Sequence, residues 1–305
     1  MVSRITAIVW LLTLACLGSL AVLATAQTRT TRAPKPRAPQ PLKVQQLRDG
    51  VYWVKGGSGA NTGFIVGGDE VIVIDAKMTE ASAKAMLAEI KKITPLPVKH
   101  IILTHSDGDH VNGLAGFPEG LTIIAHANTK KDMEKAFQAP RMRPLLAYLP
   151  TETLTGDRQM TIGGVRLNFH YFGPAHTNGD LVIHLPEQRI AFVGDLVFLD
   201  RDPLIHRHKN GTSLGLVRTL KGILTLDADT FIAGHTDPLS KADIRGVLAS
   251  LEEKQARVKA MIEEGKSLDE IKSAFGVASA PARAGQRQRR PGLIEIIYQD
   301  LVKQK

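Results

Sequence analysis

Apolar residues recur along the chain with two different periods, and the change of period marks out the elements. Val51 to Val54, Thr62 to Val66 and Val71 to Ile74 are short β-rich runs, separated by Gly57 and Gly59 and by Gly67-Gly68. That punctuation predicts an opening antiparallel meander. Glu80 to Ile93 switches to helical spacing and stops just before Pro95, so an amphipathic helix is expected there. Further strands are predicted at Ile101 to Leu103, Thr122 to Ala125, Val165 to Phe172, Leu181 to Leu185 and Ile190 to Val193, with a helix around Asn128 to Gln138. The C-terminal third is helical in pattern, over Lys241 to Glu264, Leu268 to Phe275 and Leu293 to Lys303. The first of these three carries charge on most faces and reads as an outer, solvated helix. Strands followed by helices, twice over, predict an α/β fold with two sheets packed face to face and helices outside.

The chain ends change this picture. An apolar run from Ile5 to Leu23 follows Arg4 and is followed by Ala24-Thr25-Ala26, the layout of a cleavable export signal over residues 1–26. An uncleaved anchor is the alternative, because the run approaches the roughly 20 residues that span a bilayer. Export to the periplasm or beyond is expected, with no stable membrane span once the signal is cut. Cys16 is the only cysteine and lies inside that run, so the mature chain has no disulfide and no thiolate metal ligand. The formal charge of +9 is concentrated at Arg4, in residues 28–43 and in residues 281–290; these ten positive charges leave the rest of the chain at about −1. A basic, proline-rich linker is predicted over 27–43, a catalytic domain over 44–277, and a second basic linker with a C-terminal helix over 278–305. Nucleic acid is therefore not the expected partner, although the basic stretches leave a tether to an anionic surface as an alternative.

Candidate chemistry gathers at strand ends. The apolar run His100 to Thr104 leads into His105-Ser106-Asp107-Gly108-Asp109-His110, where four of six side chains can bind a metal. If the segment is extended, residues 105, 107 and 109 point to one side, and Gly108 lets the chain turn so that His110 faces a second ion. His176 in Gly173-Pro174-Ala175-His176-Thr177, Asp195 after Ile190 to Gly194, and His235 after Phe231 to Gly234 stand in similar positions.

This series, H-x-D-x-D-H, then G-P-A-H-T, then G-D, then G-H, resembles the motifs of the metallo-β-lactamase superfamily from Val44 to Pro238, with Asp75 matching the first motif. The resemblance implies an αββα four-layer sandwich with a dinuclear centre at one edge. It implies that His105, Asp107 and His176 hold one metal, that Asp109, His110 and His235 hold the other, and that Asp195 bridges them. Asp75 would support the ligand loop, although as a lone aspartate it reads equally well as a turn or cap.

One departure bears on the metal. The superfamily usually has His where this chain has Asp107, and a carboxylate is a harder donor that favours iron or manganese more than an imidazole does. Two divalent ions are expected, zinc first, with iron or manganese as alternatives. The implied reaction is attack of a metal-activated water on a small-molecule ester, thioester or lactone, with Asp109 orienting the water. β-Lactam or phosphodiester cleavage, an iron-binding redox protein like the flavodiiron group, and a binding protein without catalysis are the alternatives. Elsewhere, His206 and His208 read as part of a solvated loop, with a place beside the cleft as the alternative; His100, His126, His170 and His184 read as structural, and Trp53 as sheet packing. Substrate choice is expected to lie in Leu145 to Leu154 and Arg201 to Thr212.

Overall fold

The computed structural model describes residues 40–277 and 290–303. The expected export signal and most of both basic linkers lie outside the described residues. Among those described, no helix is long and apolar enough to cross a membrane.

Two sheets carry the fold. The first has seven strands in sequence order, β1 (Gln40–Arg48), β2 (Val51–Gly57), β3 (Thr62–Val66), β4 (Val71–Ile74), β5 (Val98–Ile102), β6 (Thr122–His126) and β7 (Glu152–Leu154). β1 to β4 form the antiparallel meander, and β4 to β7 run parallel. The second sheet has the order β12 (Thr230–Ala233), β11 (Ile190–Gly194), β10 (Val182–Leu185), β9 (Val165–His170) and β8 (Arg158–Ile162), antiparallel except for the β11–β12 pair.

Alternation along the strands explains the layering, because successive side chains of a strand face opposite sides of the sheet. In β4, Ile72 and Ile74 join an inner core with Ile183, Phe192 and Ile232 of the second sheet. Val71 and Val73 instead face Met86 and Ile90 of helix α1 (Glu80–Ile93). In β11, Ile190 and Phe192 face inward, whereas Ala191 and Val193 meet the helices on the far side. Three apolar layers thus separate four layers of structure, the αββα sandwich that the motif resemblance implied.

Several elements depart from the sequence expectations. The stretch read as linker over 27–43 already pairs as strand from Gln40, where β1 hydrogen-bonds to β2. Strand β8 and helix α4 (Ser213–Thr225) were not anticipated. Leu145 to Leu154, expected to shape substrate choice, packs instead under the first sheet, with Leu145 and Tyr148 in its core and Glu152–Leu154 as β7. Residues 108–111 form a helical turn, α2, so the extended geometry expected through Asp109 ends at Asp107. Gly108 itself sits at ordinary negative φ; its lack of a side chain leaves room for the Asn112 amide rather than permitting an unusual turn. Helix α3 (Ala127–Ala136) follows β6 as expected.

The charged helix α5 (Lys241–Glu263) is amphipathic after all. Ile244, Leu248, Leu251 and Val258 form its buried stripe against the second sheet's outer core. Helix α6 (Leu268–Ala274) and the C-terminal helix α7 (Leu293–Val302) join the same core through Ile271, Leu293, Ile294, Ile296 and Ile297. The last helix therefore belongs to the sandwich rather than to a separate tail.

Asp300 on α7 has a consequence for the site. Its buried carboxylate accepts from Arg207 Nη1 at 2.6 Å, Thr212 Oγ1 at 2.9 Å, Ser213 N at 2.7 Å and Ser213 Oγ at 2.8 Å. It thereby ties the C-terminal helix to the start of α4 and to the segment 207–212. Replacing Asp300 by Ala leaves Arg207 and the α4 terminus without their acceptor and is expected to cost about 3 kcal/mol, a fall of roughly 6 to 12 °C in melting temperature. A scanning calorimetry trace that moves by less than about 1 °C would show that the clamp contributes nothing.

Candidate metal centre

The site forms where strands of both sheets end at one edge. β4 delivers Asp75, β5 delivers the loop His105 to His110, β11 delivers Asp195, and β12 delivers Gly234 and His235. Backbone bonds lock these ends together: Gly234 N donates to Gly194 O, Asn61 N to Gly234 O, Leu181 N to Thr104 O and Ala60 N to Asp109 O. Gly234 must be glycine for space, since a Cβ there would collide with the Asp195 carboxylate and crowd the His110 ring.

All seven expected residues meet here. His105, Asp107, His176 and Asp195 form one group and Asp109, His110, Asp195 and His235 a second, each with one donor atom per residue and all donor atoms within 4.8 Å of one another. Asp195 belongs to both. Its Oδ1 lies 3.1 Å from His110 Nε2 and its Oδ2 lies 3.1 Å from His235 Nε2 and 4.0 Å from His105 Nε2. His176 Nε2 is 3.3 Å from Asp107 Oδ2, and His235 Nε2 is 3.2 Å from Asp109 Oδ2.

The rings are aimed by partners on their other nitrogens. His110 Nδ1 donates to Asp75 Oδ2 at 2.8 Å, and His176 Nδ1 donates to Leu204 O at 2.7 Å. Thr104 Oγ1 gives its proton to Asp75 at 2.8 Å and so is free to accept from His105 Nδ1 at 3.0 Å. Asp75, in the left-handed region at φ 60°, thereby orients two imidazoles, one directly and one through Thr104. Holding the Nδ1 proton in this way leaves each Nε2 as the metal-facing lone pair. His105 Nε2 is buried without any hydrogen-bond partner. An orphaned imidazole nitrogen aimed into a cluster of carboxylates fits a cation and little else.

Charge balance points the same way. Burial would raise the Asp195 carboxyl, but His110 and His235 hold it well below the usual carboxylate range. Asp107 is likewise lowered despite its burial, by hydrogen bonds from His176 and His206. Burial opposes charge on His176, yet Asp107 lifts it to about 9. Asp109 and Asp195 bring His235 to about 9. His105, by contrast, is pushed well below its ordinary value by burial and by the neighbouring His110. The carboxylates thus hold positive charge at the imidazoles, and a cation that binds must displace those protons.

Two residues of this site were not among the expected ligands, although the sequence left His206 a place beside the cleft as its alternative. His206, expected in a solvated loop, is buried with Nε2 2.6 Å from Asp107 Oδ2. Lys209 Nζ spends all three of its donors on the ligand loop, with Asp107 Oδ1 at 2.6 Å, Ser106 Oγ at 3.0 Å and Ser106 O at 3.1 Å. Its ammonium occupies one carboxylate oxygen and offsets the negative charge that Asp107 adds relative to an imidazole. The only sequence signal was the density of basic residues in His206-Arg207-His208-Lys209. Four other histidines are structural: His100 pairs with Glu70, His126 caps α3, His170 meets Asp157 and His184 contacts Asp227 O. Trp53 is buried in the core between the sheets.

The Lys209–Asp107 pair is testable without metal. In a double-mutant cycle on chelator-treated protein, Lys209→Met and Asp107→His are expected to couple by about 1 to 3 kcal/mol in urea unfolding. Strictly additive losses would mean that Lys209 serves Ser106 alone.

Comparison with known proteins bears on the family and the fold. The sequence model of the metallo-beta-lactamase superfamily matches residues 56–235. The chain is 27% identical over 205 residues to the 2,4-dinitroanisole O-demethylase subunit alpha of Nocardioides sp., covering 66% of this chain and 57% of that protein. It is 20% identical over 213 residues to the linear primary-alkylsulfatase of a Pseudomonas species, covering 56% of this chain and 40% of that protein. The chain therefore spans about half the length of these curated relatives. Among solved structures, a metallo-beta-lactamase from Pontibacter korlensis superposes with a TM-score of 0.60 at 19% identity, covering 69% of this chain and 99% of that one. Family match, sandwich fold and a His/Asp cluster at the sheet edge coincide: the chain belongs to the metallo-beta-lactamase superfamily.

Proposed function

We propose that the protein is a hydrolase of small-molecule esters, thioesters or lactones. In this reading His105, Asp107, His176 and Asp195 hold one divalent cation, and Asp109, His110, His235 and Asp195 hold a second. The observation that carries it is the shared carboxylate of Asp195, with imidazole nitrogens of both groups about its two oxygens. When bound, a cation pair lowers the pKa of a water from about 15.7 towards roughly neutral and polarises a substrate oxygen.

The chain's own residues supply the rest. Asp109 is the most open of the three carboxylates and borders the cavity in front of the site. It accepts a hydrogen bond from the attacking water and aims it. Asp75 and Leu204 O fix the imidazoles, so little reorganisation is needed when the reaction develops charge. No Ser or Cys nucleophile is required. A cavity of about 570 Å³ in front of the clusters suits a small molecule rather than a polymer groove.

Zinc is the metal we assign first. The hardness of the Asp107 oxygen donor favours iron or manganese, but Lys209 offsets its charge, which weakens the case for an iron redox protein. Cleavage of β-lactams ranks lower, because the thiolate-ligand type of such enzymes needs Cys where Asp195 stands, and Cys16 is the only cysteine. The alkylsulfatase among the relatives supports an ester-cleaving reading. An export signal at residues 1–26 remains part of the proposal.

Metal-free protein titrated with zinc at pH 7 is expected to take up two equivalents and to release protons, because the imidazoles at about 9 must lose theirs first. Elemental analysis showing iron in place of zinc would reverse the metal assignment. Asp195→Asn should bind no more than one equivalent and lose more than about 100-fold in kcat on an activated ester, beyond what loss of a ligand's supporting partner costs. Fully loaded protein that is inert toward esters, thioesters and lactones, yet cleaves a β-lactam or phosphodiester, would replace the substrate assignment. Inertness toward all of them would sink the hydrolase.

A further inference from the structure

One segment supplies most of the wall facing the clusters, and it is basic. Arg201, Leu204, His206, His208 and Lys209 all line the cavity, and Arg290 closes it from the start of the C-terminal segment. The basic side chains are placed rather than trailing. Arg201 Cζ lies 4.2 Å from the centroid of Phe198, whose ring stacks on His235 at 5.7 Å and 13°. This column of guanidinium, phenyl and imidazole fixes a cation beside the second cluster through a cation–π contact. On the other side, His208 packs edge-on against His206 at 5.1 Å, and His206 in turn contacts Asp107.

Two carboxylates on the elements behind this rim are engaged elsewhere. Asp202 pairs with Lys254 at 2.9 Å, and Asp300 is taken by Arg207. Among the described residues, neither Arg201 nor Arg290 has a carboxylate partner. Burial, then the neighbouring His206, Lys209 and Arg290, keeps His208 below its ordinary value. Met78 adds an exposed apolar side chain at the same mouth.

We infer that the enzyme selects organic anions: Arg201 and Arg290 receive a carboxylate, sulfate or sulfonate on the substrate, while its apolar part rests against Met78 and Leu204. Two guanidiniums in a partly enclosed mouth bind such a group by charge-assisted hydrogen bonds. They also draw it in from solution, an effect that salt screens. The inference deepens the hydrolase reading, on which its first assay rests; its second assay does not depend on turnover.

The first assay compares 4-acetoxybenzoate with its uncharged methyl ester on zinc-loaded protein, each kcat/KM divided by that ester's own hydroxide-catalysed rate constant. A preference for the anion of about tenfold is expected, falling to under about twofold in Arg201→Gln/Arg290→Gln and falling with added sodium chloride. Arg158→Gln, on the far edge strand β8, should keep the preference. Equal turnover of the two esters, or a preference that survives the double substitution, overturns the inference while leaving the hydrolase standing. Should neither ester be cleaved, calorimetric titration with benzenesulfonate and benzyl alcohol decides the anion site alone, and the wider substrate panel decides the hydrolase reading. Tighter binding of benzenesulfonate that is lost in the double variant supports the site; equal binding of the two probes, or no change on substitution, removes it.

Discussion

Burying several carboxylates within a few ångströms of one another is tolerable only if positive charge is interleaved with them, and that constraint organises this protein. Asp75, Asp107, Asp109 and Asp195 converge on one edge of the sandwich, and each has an imidazole or ammonium group against it. Asp195 is the centre of the arrangement because it faces His110 from the first sheet and His235 from the second. The two halves of the sandwich are thus joined electrostatically at the point where their strands end. In low-dielectric surroundings an uncompensated carboxylate costs several kcal/mol, so loss of one imidazole disturbs all its neighbours.

The layers behind the site supply rigidity that a surface loop lacks. Alternating side chains of β4, β5, β11 and β12 fill the core between the sheets on one face and the helix-backed cores on the other. The strand ends therefore have little freedom to move, and short turns such as Asp75 and Gly234 inherit that precision. Function rests on this order of dependence. Strands fix the backbone, hydrogen bonds on Nδ1 fix the rings, and the rings fix where a cation pair can sit.

The wall that faces the substrate is held differently. Residues 198–212 cross the mouth without a strand of their own and are anchored at both ends by long-range contacts. Phe198 stacks on His235 at one end, and Arg207, Thr212 and Ser213 bond Asp300 of the C-terminal helix at the other. A helix at the end of the chain thereby positions residues that face the chemistry. Because this wall carries basic groups over an acidic floor, the same segment both offsets Asp107 through Lys209 and sets the sign of charge that the mouth admits.

Periodicity alone determined strands β2 to β4, helix α1 over Glu80–Ile93, and the packing of two sheets face to face with helices outside, since these depend on local alternation and on which face is apolar. The residues of the two clusters were legible for a related reason: His105 to His110 is dense in donor groups, and His176, Asp195 and His235 stand near glycines at strand ends. What sequence could not decide was everything fixed by contacts far apart in the chain. Edge strand β1 is mostly exposed and lacks the apolar alternation of a buried strand, and helix α5 hides a narrow buried stripe among charges. His206 and Lys209 lie in a polar segment whose composition suits a solvated loop. They reach Asp107 only because residues 99 and 102 positions away in the chain are brought beside it, and ion pairs of that range leave no local period to read.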